Sequence, residues 1–342
     1  MPTPEVWTMG VGLPGLASRQ AERAEAAGFD GIQMVDSQNL AGDPYIALAM
    51  AARVTDRLKL GTGVTNPVTR HPAVTAAAIA TVQGESGGRA QLGIGRGDSA
   101  LAHLGRAPAP VAVFERYLED LQAYLRGDHV QFADPNLDTL GLAGAPTDSR
   151  LTWLALAGAK VPVAVAATGP RVIDVAARLA DRVTLAVGAD PDRLRWGSER
   201  ARAGGASSVG AYVNVVAHPD VDQAIALAEG GLASFARFSV MHGAPTGPVT
   251  TEQRDVLTTV HAAYDMNAHT QAGTPQAAAL TRDFADRFGI LGPAGDCVRR
   301  LHEIVALGLD HLVIVGPSIG ADRDEAAAAQ RRFAEEVLPA LR

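Results

Sequence analysis

Cysteine is all but missing from this chain: Cys297 stands alone. A single thiol excludes an internal disulfide and any cysteine-built metal cluster. Its position in a helical pattern makes Cys297 a small core residue. Lysine is nearly as scarce, with Lys59 and Lys160 the two examples among 30 basic residues. The net charge is −7 and no basic patch with interleaved aromatics occurs, which argues against nucleic acid as a partner. No apolar run reaches the roughly 18 residues of a membrane span, so no membrane partner is expected. The N-terminus lacks the basic stretch and apolar run of a signal peptide, and a cytoplasmic enzyme is the expectation. Nine histidines are present, but no His-x-x-x-His pair has the acidic support that would specify a metal. No Gly-x-Ser-x-Gly elbow occurs, so serine hydrolysis has no motif to rest on.

What is present is an ordinary globular composition, 47% hydrophobic and 20% charged, over 342 residues. That length suits one large barrel or two domains. The chain repeats a strand–helix unit of about 30 residues, with connections that suit parallel crossovers. Short apolar runs at 6–11, 29–35, 58–64, 89–94, 161–166, 182–187, 211–216 and 311–315 read as strands. Their nearly continuous Val, Ile, Leu and Ala suits strands buried on both faces. Asp43-Pro44, His71-Pro72, Thr168-Gly-Pro170 and Asp190-Pro191 open helices, since proline tolerates the first helical turn. Eight such units are the number that closes a (β/α)8 TIM barrel. Two stretches break the rhythm, about 127–160 and 239–288, and read as insertions that form lids or substrate walls. The second carries two expected helices, near 252–267 and 275–288. No linker divides the chain, so a single domain over 1–342 is expected.

In such a barrel the C-terminal strand ends build the active site. The third strand runs into Gly61-Thr-Gly-Val64 and then Thr65-Asn66-Pro67. Two glycines in three positions weaken a strand and mark a bulge or a ligand lying against bare backbone. The fourth strand ends in Gly93-Ile-Gly-Arg-Gly-Asp98, which lacks the third glycine of a dinucleotide fingerprint at the required offset. Asp98 reads either as a proton donor or acceptor or as a helix cap for Ser99 onward. Asp36 carries the same ambiguity, with a structural carboxylate bonding neighbouring backbone amides as the alternative. Thr168 and Gly169 open a helix whose free amides attract phosphate, or form an ordinary turn. Val187 and Gly188 follow the sixth strand. His261 and Tyr264 share a helical face in the second insertion and line either a substrate pocket or a solvated surface.

These segments resemble a known family along nearly the whole chain. The resemblance rests on Ala27-Gly-Phe-Asp-Gly31, Asp36, and Leu60-Gly-Thr-Gly-Val-Thr-Asn-Pro67 with Arg70-His-Pro72. It continues through Gly88-Arg89, Leu92-Gly-Ile-Gly-Arg-Gly-Asp98 and Ala167-Thr-Gly-Pro170. The chain is similar to the bacterial-luciferase-like superfamily of flavin and deazaflavin oxidoreductases. Within it, the chain looks most like the methylenetetrahydromethanopterin reductases that use coenzyme F420. The resemblance implies hydride transfer between F420 and a small organic or methylene-pterin or folate-like substrate. It implies a non-prolyl cis peptide at Gly63–Val64 behind the ring, with Thr65, Asn66, Gly97 and Asp98 nearby. Asp98 would be the acid or base, and Asp36 an acidic residue near the ring with a possible catalytic part. Thr168 and Gly169 would hold the cofactor phosphate, with Val187 and Gly188 beside them. His261 and Tyr264 would face the substrate, and no metal is implied. The sugar-phosphate dehydrogenase branch has a histidine after the acid where this chain has Ser37. The alternatives within this resemblance are an FMN-dependent monooxygenase and a non-catalytic flavin-binding barrel. A homodimer through helices of the early units goes with the family.

Overall fold

The computed structural model describes residues 3–132 and 141–342. Strands β1 (Glu5–Gly10), β2 (Gly31–Met34), β3 (Lys59–Thr62) and β4 (Ala90–Ile94) follow one another in the chain. A two-residue antiparallel pair, β5 (Val130–Gln131) and β6 (Asp148–Ser149), lies in the first insertion. Then come β7 (Val163–Ala167), β8 (Arg182–Leu185), β9 (Val209–Ala217), β10 (Ile290–Gly292) and β11 (His311–Val315). The order β11-β1-β2-β3-β4-β7-β8-β9 closes on itself through β9 and β11, all pairs parallel. This is the expected eight-stranded barrel, built from the eight expected strands. Residues 133–140 of the first expected insertion lie outside the described residues.

Closure demands that the barrel interior be filled by side chains. Trp7 fills its middle layer with Ala186, Tyr212 and Val313. The indole fits because Gly31 on β2 carries no side chain: a Cβ there would lie 2.3 Å from Trp7 Cε3. Likewise a Cβ on Gly210 would come within 2.4 Å of the His311 ring. The outward residues, such as Leu60, Leu92, Val165, Val183 and Val213, pack against the surrounding helices in one continuous core. Each such aliphatic side chain contributes about 2 kcal/mol by leaving water.

Several helix ends follow the expected chemistry, and one is unusual. Asp43 and Asp190 cap α2 (Pro44–Ala52) and α7 (Pro191–Ala203), each accepting two backbone N–H groups ahead of a proline. α3 (Pro72–Glu85) is capped by an imidazole, His71 Nδ1 accepting from Ala73 N at 3.2 Å. α1 (Ala17–Ala27) stops at Gly28, where φ is +91°. Cys297 is buried in α12 (Ala294–Val305), as expected of a core residue.

The departures are local. β9 overshoots the barrel, and its last three residues pair with β10 rather than with barrel strands. Three residues are too few for an alternating signal, so β10 was not legible. The insertion after α8 (Val221–Ser239) holds α9 (Thr251–Ala263), α10 (Pro275–Ala278) and α11 (Arg282–Phe288). The expected second helix of this insertion is therefore two, because Thr281 stops one chain direction and caps the next, accepting from Phe284 N.

The N-terminal end of the barrel is closed by ions. Glu5 accepts from Lys59 Nζ at 2.6 Å and from Arg182 Nη1 and Nη2 at 2.7 and 2.9 Å. Burial alone would raise its pKa, but the hydrogen bonds from Arg182 and Lys59 outweigh that and pull it down to about 2. A carboxyl whose folded pKa is depressed stabilises the protein above its unfolded pKa and loses that stabilisation as pH falls. We expect Glu5→Gln to cost about 2 kcal/mol at neutral pH. We also expect its urea midpoint to fall less than the wild type's between pH 4.5 and pH 2. Equal acid slopes in the two proteins would remove Glu5 from acid unfolding.

Candidate active site

At the C-terminal end of the strands the interior layer finishes in Met9, Val64, Ala166 and Val315, with Phe235 from α8. These half-buried apolar groups form a floor above Trp7 and Tyr212. Beside it the Gly63–Val64 peptide is cis, as the resemblance implied. Thr65 then rejoins β4, its N–H donating to Gly93 O and its carbonyl accepting from Gly95 N, both at 2.9 Å. Glycine at 93 makes this approach possible, since a Cβ there would lie 2.0 Å from Thr62 O. Asn66 turns the chain toward α3, its Oδ1 accepting from Val68 N and Thr69 N at 3.0 and 3.1 Å. Asn66 Nδ2 and Thr65 Oγ1 are buried without a partner among the described residues. Both atoms are sealed from solvent, and Thr65 Oγ1 lies within reach of the buried Tyr45 hydroxyl.

Asp36 lies directly after β2 and is buried. Its partners are side chains rather than the neighbouring backbone amides of the structural alternative. Arg70 Nη1 donates to it at 2.7 Å and Gln38 Nε2 at 2.5 Å. Arg70 also donates to the capping residue Asp43 at 2.8 Å and lies over the Tyr45 ring at 5.0 Å. This clamp joins the second and third units at the mouth. Removing one partner of a buried ion pair leaves an uncompensated charge. We expect Arg70→Met to destabilise by about 3 kcal/mol, and Asp36→Asn combined with it to recover part of that loss. Additive denaturation free energies in the double variant would show that the two groups are not coupled.

Asp98 is not a helix cap: its side chain bonds no N–H of the short α4 (Ser99–Ala102) that follows. It forms an ion pair with Arg237 of α8, a residue 139 positions away. The Arg237 guanidinium sits 4.9 Å above the Tyr264 ring. Tyr264, at the end of α9, bonds Ser234 Oγ at 3.0 Å and His269 Nδ1 at 2.6 Å. Burial raises the Tyr264 phenol to about 12. Burial lowers His269 to about 4; the charges of Arg237 and His103 push the same way and Asp98 opposes them. Both groups are therefore neutral at pH 7. His261 is on α9, and its Nδ1 is buried without a partner among the described residues. The expected His261–Tyr264 face is thus a cluster in which His269, Ser234 and Arg237 hold the tyrosine. Arg237 was missed because it stands in no motif.

The expected phosphate-holding residues lie at the start of α6 (Pro170–Leu179). Gly169 precedes its first turn, and Thr168 Oγ1 donates to Ala186 O at 3.3 Å. Arg96 donates to Ala109 O at 2.6 Å. Its pKa is lowered by burial and then by the positive charge of Arg171. Two guanidinium groups that repel one another beside a helix N-terminus suit an anion. Val187 packs its side chain into the outer core, so any part it plays at the mouth falls to its backbone. Gly188 has φ +80°, and Phe288 occupies the space where its Cβ would be, at 2.6 Å. Behind them the buried Arg193 donates to Val187 O, Thr246 O, Pro248 O and Ser239 Oγ at 3.0–3.2 Å. It fastens the second insertion to β8, and Thr246 in turn lies beside Gly169. No group of three potential metal ligands occurs among the described residues.

Known proteins resemble this chain along its length. The 5,10-methylenetetrahydromethanopterin reductase of Methanolobus tindarius is 27% identical over 314 residues, covering 90% of this chain and 91% of its own. The F420-dependent glucose-6-phosphate dehydrogenase of Beutenbergia cavernae is 29% identical over 346 residues, covering 93% of this chain and 91% of its own. The structure of the coenzyme F420 dependent tetrahydromethanopterin reductase from Methanopyrus kandleri matches over all of both chains with a TM-score of 0.73 at 23% identity. At that identity it establishes the fold alone. Residues 14–311 match the family described as luciferase-like monooxygenase, a stretch that takes in the mouth residues of β2, β3, β4, β7 and β8. Matched over far more than half its length, the chain belongs to the luciferase-like monooxygenase family.

Proposed function

We propose that this protein is a coenzyme F420-dependent oxidoreductase acting on a small organic substrate of the methylene-pterin or folate type. The observation that carries the reading is the end-to-end likeness to curated reductases and dehydrogenases named for that cofactor or its pterin substrate. The mouth supports it with an apolar floor and a cationic helix start. When bound, the deazaflavin supplies the two-electron carrier that gives or takes a hydride.

The chain's own residues then have distinct tasks. Gly63, Val64, Thr65, Asn66 and Gly97 hold the ring edge, and Met9, Val64 and Ala166 keep water from beneath it. Thr168, Gly169 and the backbone of Val187 and Gly188 hold the anionic end, with Arg96 and Arg171 supplying positive charge. Asp98 takes or gives the substrate proton. Asp36 fixes the second and third units relative to each other through Arg70 and reaches the ring only as a neighbour.

We expect the purified protein to bind F420 stoichiometrically, read from the deazaflavin fluorescence, and FMN at least about tenfold more weakly. Asp98→Asn should keep F420 affinity within a few-fold while slowing single-turnover hydride transfer by about 10²-fold or more. Preference for FMN would overturn the cofactor, and undiminished transfer in the variant would remove Asp98 from the chemistry.

The same reading makes the protein a homodimer through α2 and α3. Ile46, Met50 and Val54 recur every four residues along α2 and its end, and are 65%, 48% and 38% exposed. Val74 on the adjoining α3 is 55% exposed. An apolar stripe facing out from a helix that is also apolar inward marks an interface. Ile46→Glu with Met50→Lys should convert the protein to monomer in analytical ultracentrifugation. A wild type that sediments as a monomer would reject this interface.

A further inference from the structure

The arginines near the mouth differ in how fully their donors are spent. Arg70 places Nη1 and Nη2 on two carboxylates. Arg193 uses Nε, Nη1 and Nη2 on four acceptors. Arg237 uses Nη1 alone, on Asp98; its Nε and Nη2 make no hydrogen bond among the described residues. Its side chain is nevertheless only 16% exposed. A guanidinium presents five N–H donors in a rigid plane, and the unused Nε and Nη2 of Arg237 keep contact with solvent instead of being sealed in the core. That plane is set: one corner is held by Asp98 and the face rests on Tyr264. Tyr264 is itself fixed from two sides by Ser234 and His269. Arg237 rises from α8 between Phe235 and Phe238, and Phe235 belongs to the floor of the mouth. The result is a preset, half-filled fork standing beside the candidate proton-transfer residue.

We propose that Arg237 is a specificity-determining residue whose Nε–Nη2 edge receives an oxyanion of the substrate, a carboxylate or a phosphate. This rests on the reading that the mouth is where substrate meets cofactor. Two parallel N–H···O bonds from a fixed fork are strong and orient the substrate as well as holding it. Lysine would supply the charge without that geometry. The facing groups are arranged to leave the anion to Arg237. Tyr264 and His269 are neutral, and Asp98 occupies the opposite corner of the guanidinium. His103, whose Nε2 is buried without a partner, is the remaining titratable group nearby.

The test uses benzoate as a flat apolar carboxylate and benzamide as its neutral counterpart, titrated by calorimetry with and without F420. The wild type should bind benzoate and not benzamide. Arg237→Lys should weaken benzoate binding by about threefold to tenfold and Arg237→Gln by more than about tenfold, with F420 affinity kept within a few-fold. Asp98→Asn, which frees a competing corner of the guanidinium, should tighten benzoate binding, an effect that a purely structural pair would not give. Benzamide binding equal to benzoate, benzoate binding within twofold of wild type in Arg237→Gln, or no tightening in Asp98→Asn would each overturn the proposal. A wild type that fails to bind F420 overturns the proposed function instead. The Arg237 dependence of benzoate binding in the cofactor-free titration then still decides this inference.

Discussion

The constraint on which the rest depends is the filling of a closed eight-stranded barrel. A tryptophan can occupy the axis only if the neighbouring strand offers no side chain, and Gly31 meets that condition for Trp7. Tyr212 then reaches across to Gln33, its hydroxyl donating to Oε1 at 2.9 Å. With the middle filled in this way, the glycines of β4 and of the segment after β3 are not needed for core packing. They are spent at the rim, where they let the chain at Gly63–Thr65 lie close against β4. Chemistry is thereby confined to one end, while the ion cluster around Glu5 seals the other.

Arginine does most of the fastening, which gives the scarcity of lysine a structural consequence. Arg89 binds four carbonyls, those of Ser86, Leu58, Ala52 and Thr55, together with the Thr55 hydroxyl. It thus ties the loop before β3 to the turn before β4, and accounts for the Gly88-Arg89 motif without any part in catalysis. Arg193 does the same between β8 and the second insertion. A planar fork can satisfy several fixed carbonyls at once, where an ammonium group on a flexible stem would be less well preorganised. Arginines with every edge used in this way are parts of the scaffold. Arg96 and Arg237, at the rim, each keep an edge to spare.

The barrel was legible because its strands are continuous apolar runs separated by capped, proline-opened helices, signals that are local in sequence. Asp43-Pro44, Asp190-Pro191 and the Gly169-Pro170 opening of α6 all lie where that local chemistry put them. The site was legible only in part. Asp98 stood out as an acid or base or as a helix cap, but neither reading supplied its partner, which is contributed by a helix three barrel strands further on. Arg237 sits in the alanine-rich α8 with nothing around it to distinguish it from a solvated charge. Helical spacing paired Tyr264 with His261, while the chain turns after α9 and brings His269 back to the Tyr264 hydroxyl. Long-range pairs of this kind leave no period and no spacing to read.

Both carboxylates of the mouth are thus matched by an arginine from another unit, but the two pairs differ in what holds the arginine. Arg70 is held by a second carboxylate, Asp43, and by the Tyr45 face, so Asp36 cannot lose its partner without breaking the Arg70–Asp43 pair as well. Arg237 is held on its far side by an aromatic face alone, and that face belongs to an insertion rather than to the barrel. A group that must exchange protons with a substrate has to be able to change partners during the reaction. On the proposed function that criterion assigns Asp36 to the scaffold. It assigns proton transfer to Asp98, whose guanidinium partner keeps an edge uncommitted.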